Sequence, residues 1–193
     1  MSFDIIGPLQ KVWEEVKQNM DKAYEIRPFW SEADLVHFIA TQYQNTLHKE
    51  VSKDLVVHVS SSLIPDADLF GELAKKLERF LPQFSKNMKY KREAEKVVPD
   101  LIVHKAKDVS HLLLCAQVKL ILGTNRWENI LGGVRKDLVM MSMFKHKQIC
   151  DEVAMLIAFS PQKDSPKQRD ELRSIIDEWQ NKEPILHIKR YNC

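Results

Sequence analysis

Apolar positions recur along the chain with two periods, and the switches between them mark out its elements. From Ile5 to Tyr24 the apolar side chains Leu9, Val12, Trp13, Val16 and Met20 recur with a helical period, and Pro28 closes the segment. A second helix is predicted from Ser31, with Asp34 three residues on in a capping-box-like arrangement. Its apolar face runs Leu35, Val36, Phe38, Ile39, Tyr43 and Leu47. Asp54 to Leu63 is rich in β-branched residues and predicts a strand, followed by a turn at Pro65-Asp66. From Asp68 a further helix sets Phe70, Leu73, Leu77, Phe80 and Leu81 on one side, with Pro82 at its end. Two short apolar runs follow, Val98 to His104 and Leu112 to Lys119, joined by a polar turn near Lys105 to Asp108. Their length and composition are those of strands.

A long helical stretch runs from about Asn125 to Lys147, and Gly132-Gly133 is expected to weaken or kink it. Met140, Met141 and Met143 read as flexible core filler on that helix. Val153 to Phe159 is a fully apolar strand, and Pro166 opens a helix with Leu172, Ile175, Ile176 and Trp179 on one face. Ile185 to Ile188 predicts a last strand. Helices alternate with strands that are apolar on both faces. This predicts an α/β fold with a central mixed β-sheet flanked by helices on both sides. The 193 residues carry no internal repeat or linker, which predicts one domain. Residues 1–30 would be a helical extension and 66–85 a helical insertion.

Composition changes this picture little. Hydrophobic residues make up 44% and charged residues 29%, as in ordinary globular proteins. A net charge of +2 excludes a bulk basic signal for nucleic acid, so any such contact must come from a local patch. The densest is Lys86, Lys89, Lys91 and Arg92, with Tyr90 among them. Runs of this kind are ordinarily solvated loops; its position just before the Asp100 strand makes it the candidate phosphate-contacting edge. The N-terminus lacks the pattern of a signal peptide, and no apolar run approaches about 20 residues. Three cysteines without CxxC spacing read as reduced thiols, with Cys115 in a strand core, so a cytoplasmic location is expected. The seven histidines are scattered, which argues against zinc. No GxSxG, P-loop or GxGxxG is present.

The informative residues are polar ones in the two central strands: Asp100 in the first, Gln117 and Lys119 in the second. A register centred on Asp108-Val109 sets Asp100 opposite Gln117, with Cβ atoms about 4.5–5.5 Å apart. Lys119 then shares their face. An acid beside an amide oxygen offers hard ligands for magnesium or manganese, and a nearby ammonium offsets developing negative charge. Metal-assisted phosphodiester hydrolysis is the chemistry that wants this set. The plain structural alternative is an Asp100–Lys119 ion pair under a helix.

Pro99-Asp100, a gap of sixteen residues, and then Gln117-Val118-Lys119 resembles the PD-(D/E)XK nuclease superfamily. Its core order of helix, three strands, helix, strand is matched from about Ser31 to Phe159. The resemblance implies a restriction-endonuclease-like core and a Mg2+- or Mn2+-dependent nuclease acting on DNA more readily than RNA. Asp100, Gln117 and the Val118 backbone carbonyl would hold the metal, and Lys119 would position or activate water. An acid on the first core helix often completes such sites, and Glu32 occupies that position; in its own right it is explained as complementing the helix dipole. Several relatives of this fold act as dimers, so a homodimer is a possible assembly. Gln117 departs from the expected acid and removes one negative charge, although the Mrr-like branch is similar in having its own QxK motif. The alternative is a catalytically silent member of the fold that binds nucleic acid or a protein. Asp137, on the helix after the motif, is assigned to a solvated face, and His104 and His111 to partly exposed positions flanking the turn.

Overall fold

Side-chain alternation along one long strand divides the molecule into two cores. In the computed structural model, residues 3–21, 31–59, 99–121, 127–159, 166–182 and 187–191 are described. Their elements are, in chain order, α1 (Ile6–Asp21), α2 (Glu32–Glu50), β1 (Leu55–Val59), β2 (Leu101–Lys105), β3 (Asp108–Ile121), α3 (Trp127–His146), β4 (Cys150–Phe159), α4 (Pro166–Lys182) and β5 (His187–Tyr191). The five strands lie in sequence order in one mixed sheet. β1, β2 and β3 are antiparallel neighbours, whereas β3, β4 and β5 run parallel. The parallel steps need crossovers, which α3 and α4 supply. The helix expected over 68–81, the turn at Pro65-Asp66 and the basic cluster Lys86–Arg92 lie outside the described residues, as do the last positions of the strand expected over 54–63.

On one face, Ile102, Cys115, Met155, Ile157 and Ile188 pack against Val134, Leu138 and Met141 of α3 and Leu172 and Ile176 of α4. On the other, Leu101, Leu114, Ala116, Val118 and Leu156 meet Trp13 of α1 and Leu35, Ile39 and Tyr43 of α2. Helices therefore cover both faces, as the doubly apolar strands require. Ser31 caps α2: its Oγ accepts the Asp34 N–H at 3.2 Å and donates to Asp34 Oδ2 at 3.0 Å. Tyr43 ties α2 to the start of α1 within one helical layer by donating to the Ile5 carbonyl at 2.6 Å. Gln44 reaches the outer edge of β1, donating from Nε2 to the Leu55 carbonyl at 2.8 Å and accepting the Val57 N–H on Oε1 at 2.7 Å.

The β2–β3 ladder has the expected register, pairing Leu101 with Ala116, Ile102 with Cys115 and Val103 with Leu114. The turn is not centred on Asp108-Val109, however. It lies at Ala106-Lys107, with Lys105 opposite Asp108. Irregularities on either side of His104 place extra residues on β3 and restore the register further along. A second difference is that α3 runs unbroken through Gly132-Gly133, because its buried face from Leu131 to Phe144 supplies packing that outweighs the glycine penalty. His104 is also buried, stacked on the His58 ring at 4.8 Å, rather than partly exposed; His111 is exposed and lies 2.9 Å from Asp151 Oδ2. Among the described residues no helix is long and apolar enough to cross a membrane.

Candidate active site

β3 continues past the point where β2 begins. Leu101 pairs with Ala116, and beyond it the N–H groups of Val118 and Leu120 are directed toward the β2 side without a strand partner among the described residues. Two carboxylates receive them. Asp100 Oδ2 accepts the Val118 N–H at 2.7 Å, and Glu32 Oε2 accepts the Leu120 N–H at 3.2 Å. Because the N–H and C=O of one strand residue face the same neighbour, the Val118 carbonyl shares the Asp100 edge. Continuing the ladder one step past Leu101 sets Asp100 opposite Gln117, in the face that also holds Ile102 and Cys115.

Lys119 leaves β3 on this same face. Its ammonium donates to Glu32 Oε1 at 3.3 Å and lies 3.1 Å from Asp137 Oδ2. Glu32 comes from the first turn of α2 and Asp137 from the middle of α3, so the cation is held between helices that cover opposite faces of the sheet. Burial alone would raise the Asp100 carboxyl and lower the Lys119 ammonium. For Asp100, burial dominates; the Val118 N–H and Lys119 oppose it, Glu32 and Asp137 add to it, and the pKa rises from 3.8 to about 6. For Lys119, burial is outweighed by the carboxylates of Asp137, Glu32 and Asp100, which hold the ammonium above the ordinary lysine range. Burial also lifts the Asp137 carboxyl, with Lys119 opposing.

Glu32, Asp100 and Lys119 thus meet around Val118–Leu120 of β3, and the extended register sets Gln117 next to Asp100. Glu32 does more than complement a helix dipole: both of its oxygens are engaged by β3. Asp137 is 6% exposed, which corrects its assignment to a solvated face. The signal was available in the sequence, since Val134, Asp137, Leu138 and Met141 follow the i, i+3, i+4, i+7 spacing of a buried helix face. A cleft of about 160 Å³ opens beside the cluster, lined by Glu32, Ala33, Val36, His37, Val59 and Asp100.

The donor set can be tested against a divalent cation. Gln117 Oε1 is buried and has no hydrogen-bond partner among the described residues, although it neighbours a carboxylate with a raised pKa. Such an oxygen calls for a donor or a cation. Among the described residues no three His, Cys, Asp or Glu side chains converge as a ready-made metal cluster. A sparse oxygen set completed by water is nonetheless what magnesium accepts, since it is commonly bound through one or two carboxylates. Asp100, Gln117 and the Val118 carbonyl fit that description; Glu32 is already committed to Lys119 and Leu120. Comparison of the chain with protein-family models, curated proteins and solved structures returns no significant match.

Proposed function

We propose that the chain is a divalent-metal-dependent nuclease of the PD-(D/E)XK kind, hydrolysing phosphodiester bonds in DNA more readily than in RNA. One observation carries this reading: the β2–β3 register, continued past Leu101, sets Asp100, Gln117 and Lys119 on one sheet face, and Asp100 also lines an open cleft with Glu32. The element order α2-β1-β2-β3-α3-β4 supports a restriction-endonuclease-like core. Asp100, Gln117 and the Val118 carbonyl are the residues that would hold Mg2+ or Mn2+, with Glu32 at the margin of the set. When bound, the metal supplies a water of lowered pKa and shields the scissile phosphate.

The chain's own groups divide the remaining tasks. The Lys119 ammonium is a fixed positive charge for a phosphate oxygen and for the charge that develops on it. Asp100, anchored through Val118, sets the position of the ligand edge. The cleft beside Glu32 and His37 is the approach for the substrate backbone. Lys86, Lys89, Lys91 and Arg92 are proposed as nucleic-acid contacts, and a homodimer is the proposed assembly.

Cleavage of plasmid, single-stranded DNA and RNA with manganese present tests the proposal. Asp100→Asn and Lys119→Met should each lower the rate by about 10²–10³-fold. If both variants cut as fast as wild type, the site is wrongly assigned. The second reading is a silent member of the fold that binds nucleic acid or a protein. The neutral Gln117 and the fully engaged Glu32 favour it. It predicts no calorimetric heat on titrating manganese into wild type.

A further inference from the structure

We propose that Asp137 is a positioning residue that fixes the Lys119 ammonium relative to Asp100 and Gln117. This rests on the nuclease reading, within which Lys119 is the group that meets the phosphate or its attacking water. A lysine carries its charge on a flexible four-carbon stem, so the strand alone does not determine where the ammonium sits. Its two carboxylate contacts differ in kind. The Glu32 side chain is 39% exposed and sits at the start of a helix. The Asp137 side chain is 9% exposed, and its helix neighbours Val134, Leu138 and Met141 are packed into the α3–α4 core. Asp137 therefore ties the ammonium to the α3 core, whereas Glu32, which also accepts the Leu120 N–H, ties it to the exposed margin of the sheet.

Stability alone does not account for an acid at this position. A carboxylate among apolar side chains is costly even when paired, and a buried ion pair is often replaced by hydrophobic residues at no loss. A leucine at position 137 would continue the stripe formed by Val134, Leu138 and Met141. What a leucine would not do is hold the cation 3.1 Å from a fixed point on α3. The pair lies at the end of β3 that carries Gln117 and the Asp100-capped backbone, where displacement of the charge has a chemical consequence.

The test combines turnover with a direct view of the ammonium. Asp137→Asn keeps the side-chain shape and removes its charge. Its kcat per folded molecule should fall about 10–100-fold with KM unchanged, the scale expected of a charge misplaced by about 1 Å. In a Lys119→Met background the same change should have no further effect, because Asp137 acts through the lysine. The ¹H–¹⁵N signal of the Lys119 ammonium, assigned by its loss in Lys119→Met, should be sharp in wild type and broadened or absent in Asp137→Asn. Wild-type kcat in Asp137→Asn, an equal loss in the Lys119→Met background, or an unchanged ammonium signal would each overturn the inference. Wild type that cleaves nothing, with the signal still lost in Asp137→Asn, would sink the nuclease reading and leave the positioning role standing. If Asp137→Asn does not fold, Asp137→Glu serves instead: it moves the charge by one methylene, and a wild-type kcat and signal there are equally fatal.

Discussion

Removing the charge of Asp100 should make the protein more stable at neutral pH while slowing the proposed cleavage. In the folded chain the Asp100 carboxyl is lifted from 3.8 to about 6, chiefly by burial. The folded state therefore binds its proton more tightly than the unfolded state does. Below about pH 4 both states are protonated, and Asp100 imposes no penalty. Between about pH 4 and 6 the unfolded chain ionises first, and stability declines. Above about pH 6 the penalty is complete, at roughly 3 kcal/mol for a shift of this size, taking about 1.4 kcal/mol per tenfold. Asn mimics the protonated acid and keeps an oxygen to accept the Val118 N–H. Asp100→Asn should then gain up to about 3 kcal/mol at pH 7, a rise in Tm of roughly 6–12 °C for a chain of this size. Urea melts of wild type and variant at pH 4, 5, 6 and 7 measure it, with metal chelated throughout. A variant less stable than wild type at pH 7, or a difference that stays constant across this range, would refute the account.

Three other outcomes follow from the packing. Lys119→Met leaves the buried Asp137 carboxyl without its cation and should cost about 3 kcal/mol in urea melts, most of which Lys119→Met/Asp137→Leu recovers; an equally unstable double variant would contradict this. Tyr43→Phe deprives the Ile5 carbonyl of its 2.6 Å donor, and thermal melts should show a loss of about 1–2 kcal/mol. Cys115 and Cys150 are both buried, and a hydrogen bond with Cys150, reinforced by burial, pushes the Cys115 thiol upward. In a Cys193→Ser variant, which leaves only these two thiols, both should react with a chromogenic disulfide reagent only once denaturant is added; prompt reaction of that variant in its native state would contradict this packing.

The central register was legible because misplaced polar groups constrain it: only one alignment brings Asp100 and Gln117 together and also keeps both apolar faces intact. The turn was not, since a symmetric hairpin has no place for the irregularities that flank His104. At Asp137 two sequence signals conflict. Its charge suggested solvent, while the period of its neighbours indicated the core, and packing decided for the core. The contact of Glu32 with Leu120 joins positions far apart in the chain. Nothing local to the first turn of α2 encodes it. It arises only once β3 outruns β2 and leaves an N–H to be satisfied.

The Gln44 amide at the margin of β1 has a bearing on assembly. It presents a donor and an acceptor to Leu55 and Val57 as the backbone of an adjoining strand would. A side chain thus stands in for the next strand, and that stretch of the sheet is closed to another chain seeking main-chain hydrogen bonds. Growth of the sheet by strand addition is thereby directed away from Leu55–Val57, and β5 is left as the opposite border of the described sheet. Two copies that meet through the helical layers would keep their sheets separate, each closed on its β1 side by its own glutamine.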